Sequence, residues 1–139
     1  MGSNKMNISI DLHGVIDKDS EMFNEYTKEL IEDGNNVFIL TGSSYVDAIS
    51  ELAELKFNLN YITEIISVTD YLLDKNVPYE FDNYGRPSFH PTIWWGTKSQ
   101  IARKMSIDLH IDDRLEFLVT FTTPFMYYNG IDNLISLML

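Results

Sequence analysis

Asn7-Ile8-Ser9-Ile10-Asp11-Leu12-His13-Gly14-Val15 reads as a short apolar strand that stops at a carboxylate. Asn7–Ile10 supplies the strand, and Asp11 opens the turn after it. Downstream, Ser20 is expected to cap an amphipathic helix carrying Met22, Phe23, Tyr26, Leu30 and Ile31 at helical spacing. Gly34 with Asn35 stops that helix. Val37-Phe38-Ile39-Leu40 is then an unbroken apolar run, as expected of a strand covered on both faces, and it closes on Thr41-Gly42.

The same alternation continues. Ser44 is expected to cap a second helix with Val46, Ile49, Leu52, Ala53 and Leu55 on its core face. Residues 62–66 read as a third strand and residues 67–75 as a short helix bounded by Pro78. The aromatic-rich stretch 79–95 reads as extended segments and loop, a small flap at most. Thr97 or Ser99 opens a helix through Met105, and residues 106–111 form a fourth strand ending at Asp112-Asp113-Arg114. Residues 117–121 are expected to be a fifth strand and 131–139 a terminal helix. Strands alternating with helices predict an α/β, three-layer, Rossmann-like fold: a mainly parallel sheet of about five strands with helices on both faces.

A chain of 139 residues favours one domain, here 7–139, after a disordered or tag-derived leader over 1–6. Apolar residues make up 45%, which excludes a disordered chain. Ten Lys and Arg against 21 Asp and Glu give a net charge of -11, a field that repels a phosphate backbone. No extended nucleic-acid surface is expected; a small phosphorylated ligand at a local site is compatible. The absence of cysteine fits a reducing compartment, and no apolar stretch is long enough to span a bilayer. The expectation is a cytoplasmic protein with no membrane partner.

Three predicted strands end in polar residues: Asp11, Thr41 and Asp112-Asp113. In an open parallel sheet, ligands bind beyond the carboxyl ends of the strands. Carboxylates gathered there repel each other unless a cation or proton compensates. A hard divalent ion with oxygen ligands, most simply Mg²⁺, meets that need and leaves positions for water and a phosphate. Taken singly, each Asp is more simply a turn or helix-cap residue. Coincidence at three strand ends, with Lys98 near a predicted helix start, favours a site. His90 and His110 have no partner at metal-ligand spacing, so zinc is not expected, and His110 reads as a strand residue facing the sheet surface.

In order and spacing these motifs resemble the haloacid dehalogenase (HAD) superfamily, whose members are mostly Mg²⁺-dependent phosphatases. The first motif of that family, an apolar strand followed by Asp-x-Asp-x-Thr/Val, corresponds to Ile8-Ser9-Ile10-Asp11-Leu12-His13-Gly14-Val15. Its Thr/Ser-ended strand corresponds to Val37–Thr41 with Gly42, its lysine to Lys98, and its acidic pair to Asp112-Asp113. The resemblance implies that Asp11 is a nucleophile forming an aspartyl-phosphate. It implies Mg²⁺ held by Asp11, the backbone carbonyl of His13 and a carboxylate of the Asp112-Asp113 pair. Thr41 and Gly42 would donate to phosphoryl oxygens, while Lys98 would neutralise the transferring group and keep Asp11 ionised.

His13 departs from the pattern, because the family carries an acid/base Asp there. An imidazole can give and take protons near neutral pH, so a working phosphatase is the leading expectation. The alternatives are a long-lived phospho-Asp11, or a catalytically impaired HAD-like module that binds phosphate or a protein partner. The interval between Asp11 and Thr41 holds one helix with its loops, which leaves no room for a large cap domain. The expected substrate is a phosphorylated small molecule or an exposed phosphate of a larger one. Tyr79, Phe81, Tyr84, Phe89, Trp94 and Trp95 can stack on a base or sugar, although packing is the commoner role of such residues. A response-regulator receiver domain fits less well, since its acidic pair follows the first strand.

Overall fold

The computed structural model describes residues 5–128 and the backbone of 134–137. Along the chain the elements are β1 (Asn7–Ile10), α1 (Ser20–Glu32), β2 (Asn36–Thr41), α2 (Tyr45–Glu54), β3 (Glu64–Ser67) and α3 (Val68–Asp74). A hairpin of β4 (Glu80–Phe81) and β5 (Pro87–Ser88) follows, then α4 (Pro91–Lys104), β6 (Leu109–Asp112), β7 (Phe125–Tyr128) and β8 (Leu134–Leu137).

The main sheet has the order β3-β2-β1-β6-β7-β8. Its first five members are parallel, and β8 adds an antiparallel edge. The chain builds outward from β1 through β2 to β3, then crosses over to β6 on the other side of β1. The strand order therefore reverses between β1 and β6, the crevice in which open α/β sheets bind ligands. Asp11 and Asp112 stand at its lip.

Side-chain alternation along β2 divides the core. Val37 and Ile39 pack with Phe23 of α1 and with Ala48 and Leu52 of α2. Phe38 and Leu40 face the other way, toward Ala102 and Ile101 of α4 and Leu72 of α3. The result is a three-layer, Rossmann-like α/β arrangement. Ile10, Ile39 and Ile111, on three adjacent strands, are fully buried, and each such side chain contributes roughly 1.5–3 kcal/mol by burial. No helix among the described residues is long and apolar enough to cross a membrane.

Several sequence expectations need correction. Asp19, not Ser20, caps α1, its carboxylate accepting from the Met22 amide at 3.2 Å. Along α2 the buried face is Ala48 and Leu52, while Val46 is 75% exposed and Ala53 is exposed too. The third strand begins two residues later than expected. α4 starts at Pro91 rather than at Thr97 or Ser99, with the His90 ring accepting from the Thr92 amide at 3.2 Å. Proline suits a first helical turn, where its missing N–H costs nothing. The stretch 79–95 thus contains a hairpin and the first turn of a helix.

Residues 117–121 do not form the fifth strand. Leu115–Val119 is a 3-10 turn, and the strand is Phe125–Tyr128. Phe117 and Phe121 are both buried, but Val119 between them is 88% exposed, which breaks the alternation a strand would need to keep all three on one face. The expected terminal helix fails over Leu134–Leu137, where the backbone pairs with β7 from Phe125↔Leu137 to Tyr128↔Leu134. The remainder of that segment, and residues 1–4 of the expected leader, lie outside the described residues.

Candidate active site and metal centre

The crevice collects the residues that the motifs singled out. Asp11 leaves β1 with its amide donating to the Ile111 carbonyl at 2.9 Å, which fixes its backbone against β6. Asp112 is the last residue of β6 and Asp113 the next. Carboxylate oxygens from Asp11, Asp112 and Asp113 all lie within 4.8 Å of one another. Between Asp11 and Val15 the chain turns through Gly14 at φ +82°. A Cβ built on Gly14 would stand 1.9 Å from Asp113 Oδ2. Only glycine meets both demands, and so the first turn and the acidic pair can close on each other.

Lys98 compensates the charge. Its ammonium reaches from mid-α4 to Asp11 Oδ1 at 3.1 Å and Asp112 Oδ2 at 2.7 Å, and lies 4.4 Å from the Phe117 ring centroid. Burial alone would push the Lys98 ammonium down, but the two carboxylates outweigh it and hold it above its ordinary value. For Asp112 burial pushes up, yet Lys98 and His110 prevail and hold the carboxyl well below the carboxylate range. Asp11 goes the other way. Burial raises it to about 7 against the pull of Lys98, with Asp112 and Asp113 adding to the rise. Asp113 is raised as well, by burial and by Asp112.

His110 supports Asp112 from behind. Its Nε2 lies 2.8 Å from Asp112 Oδ2 and its Nδ1 2.7 Å from Ser9 Oγ. Burial holds the imidazole below its ordinary pKa against the opposing pull of Asp112. The neutral ring donates from Nε2 and accepts at Nδ1 from the Ser9 hydroxyl. Phe121 stacks on it at 4.9 Å. His110 is therefore fully buried, not at the sheet surface as its sequence suggested.

The fit to a divalent cation rests on Asp113, whose Oδ1 is buried and has no hydrogen-bond partner. Such an orphan is costly unless something positive meets it. Three hard oxygen donors, one of them orphaned, suit Mg²⁺ better than a softer ion. The residues present fit the group.

Thr41 and Gly42 leave β2 on the wall of the same cavity, of about 1040 Å³, which Asp11, His13, Lys98 and Asp113 also line. The Thr41 hydroxyl accepts from the Ser43 amide at 3.2 Å, and the Gly42 carbonyl accepts from Thr69 Oγ1 at 2.7 Å. Trp94 packs on Gly42 so closely that a Cβ there would come within 2.8 Å of the indole. His13, with its side chain 56% exposed at the cavity mouth, pairs through Nε2 with Glu51 of α2.

Asp11, His13, Thr41, Gly42, Lys98 and Asp113 thus line one cavity with Asp112 directly behind them; of the aromatic residues, Trp94 and Trp95 line it too, whereas Tyr79, Phe81, Tyr84 and Phe89 do not. Lys98 gets there from the middle of a helix rather than its start. Glu51 escaped the sequence reading, and His110 was read only as a strand residue. His110 had a signal, since it stands two residues before Asp112 and shares its face of the strand. Nothing in the sequence pointed to Glu51. No family model matches this chain, and comparison with curated proteins and with solved structures found none that matches it.

Proposed function

We propose that this chain is a Mg²⁺-dependent phosphomonoester hydrolase of the HAD type, acting through Asp11. The single observation that supports this reading most is the convergence of three carboxylates within 4.8 Å, one of them with a buried orphan oxygen, beside a buried lysine. Asp11, Asp112, Asp113 and the His13 carbonyl would hold the Mg²⁺, whose charge lets an anionic nucleophile approach an anionic ester.

The chain's own groups supply the rest. An Asp11 oxygen attacks phosphorus, the ester P–O bond breaks, and the leaving oxygen takes a proton from His13. Water then attacks the phosphorus of the aspartyl-phosphate, gives its proton back to His13, and releases phosphate with Asp11 restored. Thr41 and Gly42 orient the phosphoryl oxygens and Lys98 neutralises their charge. With His13 Nε2 engaged by Glu51, Nδ1 is the ring nitrogen left for proton transfer. The cysteine-free composition suits a cytoplasmic enzyme.

The same His13–Glu51 pair favours one rival, a phosphate-binding module that turns over poorly, because it ties up the residue standing in for the family's acid/base. Release of phosphate from p-nitrophenyl phosphate tests the choice. The hydrolase reading expects Mg²⁺-dependent turnover that disappears in Asp11→Asn. Equal rates for the wild type and that variant refute it. For the module, His13→Asp raises turnover; for a working imidazole, it lowers it.

A further inference from the structure

Four of the ten basic residues, Lys18, Arg86, Lys98 and Arg114, line the one cavity, in a chain of net charge -11. Their partners differ. Lys98 is held by Asp11 and Asp112, and Arg114 by Glu116 at 3.1 Å. Among the described residues Lys18 and Arg86 take part in no ion pair. Of the acids on the wall, Glu51 is paired with His13; the Asp82 carboxylate, held by backbone amides, attracts the Arg86 side chain without forming an ion pair, and the Arg86 guanidinium lies 5.7 Å from the Tyr84 ring centroid. Asp47, also on the wall, stands in the first turn of α2, where a carboxylate suits the helix dipole.

Arg86 is carried by a built support, not a loose loop. At the tip of the β4–β5 hairpin the Asp82 carboxylate accepts from the Tyr84 amide at 2.8 Å and the Arg86 amide at 2.9 Å. The Asp82 amide donates to the Arg86 carbonyl at 2.8 Å, and Gly85 takes φ +76° to close the turn. At its base, Tyr79 packs against Phe81 at 5.5 Å and Phe89 at 5.9 Å, and Phe89 stacks on Trp94 at 6.2 Å. Trp94 in turn lies on Gly42. A chain of aromatic contacts thus ties the guanidinium-bearing tip to the residue beside the phosphoryl position.

Resting on the hydrolase reading, we propose that the hairpin forms a second anion subsite. Arg86, with Lys18, binds a negative group on the leaving-group side of the substrate, so the preferred esters carry a second phosphate or a carboxylate. In a strongly acidic protein an anionic substrate needs local cations to approach at all, and cations outside any ion pair on the wall of an open cavity supply them. A guanidinium matches a phosphate or carboxylate through paired N–H donors.

The test compares fructose 1,6-bisphosphate with fructose 6-phosphate on the full chain with Mg²⁺. The expected kcat/KM ratio favours the bisphosphate by about tenfold or more, the worth of one charge-assisted contact. In Arg86→Ala the ratio falls toward one through KM, and Lys18→Ala lowers it in part. Both positions are exposed, so the variants keep the fold. Equal kcat/KM in the wild type, or a preference that survives both substitutions, overturns the subsite. If neither ester is hydrolysed, p-nitrophenyl phosphate with Asp11→Asn as control decides the hydrolase reading, and calorimetric binding of the same two sugar phosphates decides the subsite. Tighter binding of the bisphosphate that Arg86→Ala abolishes supports it, and equal affinities overturn it.

Discussion

Lys98 and Asp112 meet at 2.7 Å with both side chains almost wholly shut off from solvent. That pair joins α4 to the end of β6, and Asp11 extends it to β1 at 3.1 Å from the same ammonium. Removing one member of a buried pair leaves an uncompensated charge, which typically costs about 3–5 kcal/mol. Lys98→Met is therefore expected to lower stability by roughly that much in urea unfolding without metal. Added Mg²⁺ should recover part of the loss, since it meets the same carboxylates. A variant as stable as the wild type would mean that the carboxylates protonate at no cost.

Asp11 makes the metal-free protein sensitive to pH. Its pKa rises from 3.8 to about 7 on folding, so between those values the folded chain holds a proton that the unfolded chain has released. That contribution to stability is full below pH 3.8 and is lost as pH climbs to about 7. In the presence of a chelator, the gain in urea midpoint of Asp11→Asn over the wild type should be larger at pH 8 than at pH 5. Stabilisation by Mg²⁺ should grow over the same range as the competing proton leaves. A gain independent of pH would contradict the raised pKa.

His110 is a positioning residue for Asp112. His110→Phe keeps an aromatic ring against Phe121 but removes the Nε2 donor and leaves the Ser9 hydroxyl buried without its acceptor. Loss of such an outer-shell partner typically costs about 10–100-fold in metal affinity. Calorimetric titration with Mg²⁺ should register a drop of that order. Pairing the change with Ser9→Ala should restore stability but not affinity, which separates orientation of the carboxylate from packing.

Glu51 is expected to act through His13. In Glu51→Gln the partner of Nε2 loses its charge, so kcat should fall by about tenfold or more while KM moves little, as for a group that supports proton transfer. A displaced acidic or basic limb in the pH profile of kcat would accompany it. If only KM changes, the pair belongs to binding instead.

Most of the central sheet was legible because its signals are local. Val37-Phe38-Ile39-Leu40 is unbroken and apolar, and Asp11 and Asp112 each end an apolar run. The failures came where the deciding contact is remote. Residues 117–121 look like a strand by composition, but Leu115–Val119 winds into a 3-10 turn that buries Phe117 and Phe121 beside α4 and leaves Val119 exposed. Leu134–Leu137 has no strand signature of its own and pairs because β7 offers it an edge. At the site, the acids and Lys98 could be read from their order along the chain. The His13–Glu51 pair could not, since it depends on the rotation of α2, whose buried face the sequence misjudged at Val46 and Ala53.

The contact between Trp94 and Gly42 has a practical corollary. The protein contains two tryptophans, and one of them rests on the backbone beside the crevice. An occupant arriving next to Gly42 should change the surroundings of that indole, and its emission should shift or quench accordingly. The chain thus carries its own fluorophore at the point of interest, and ligand titrations need no attached dye. Replacing Trp95 by Phe would leave Trp94 as the single tryptophan emitter among the described residues.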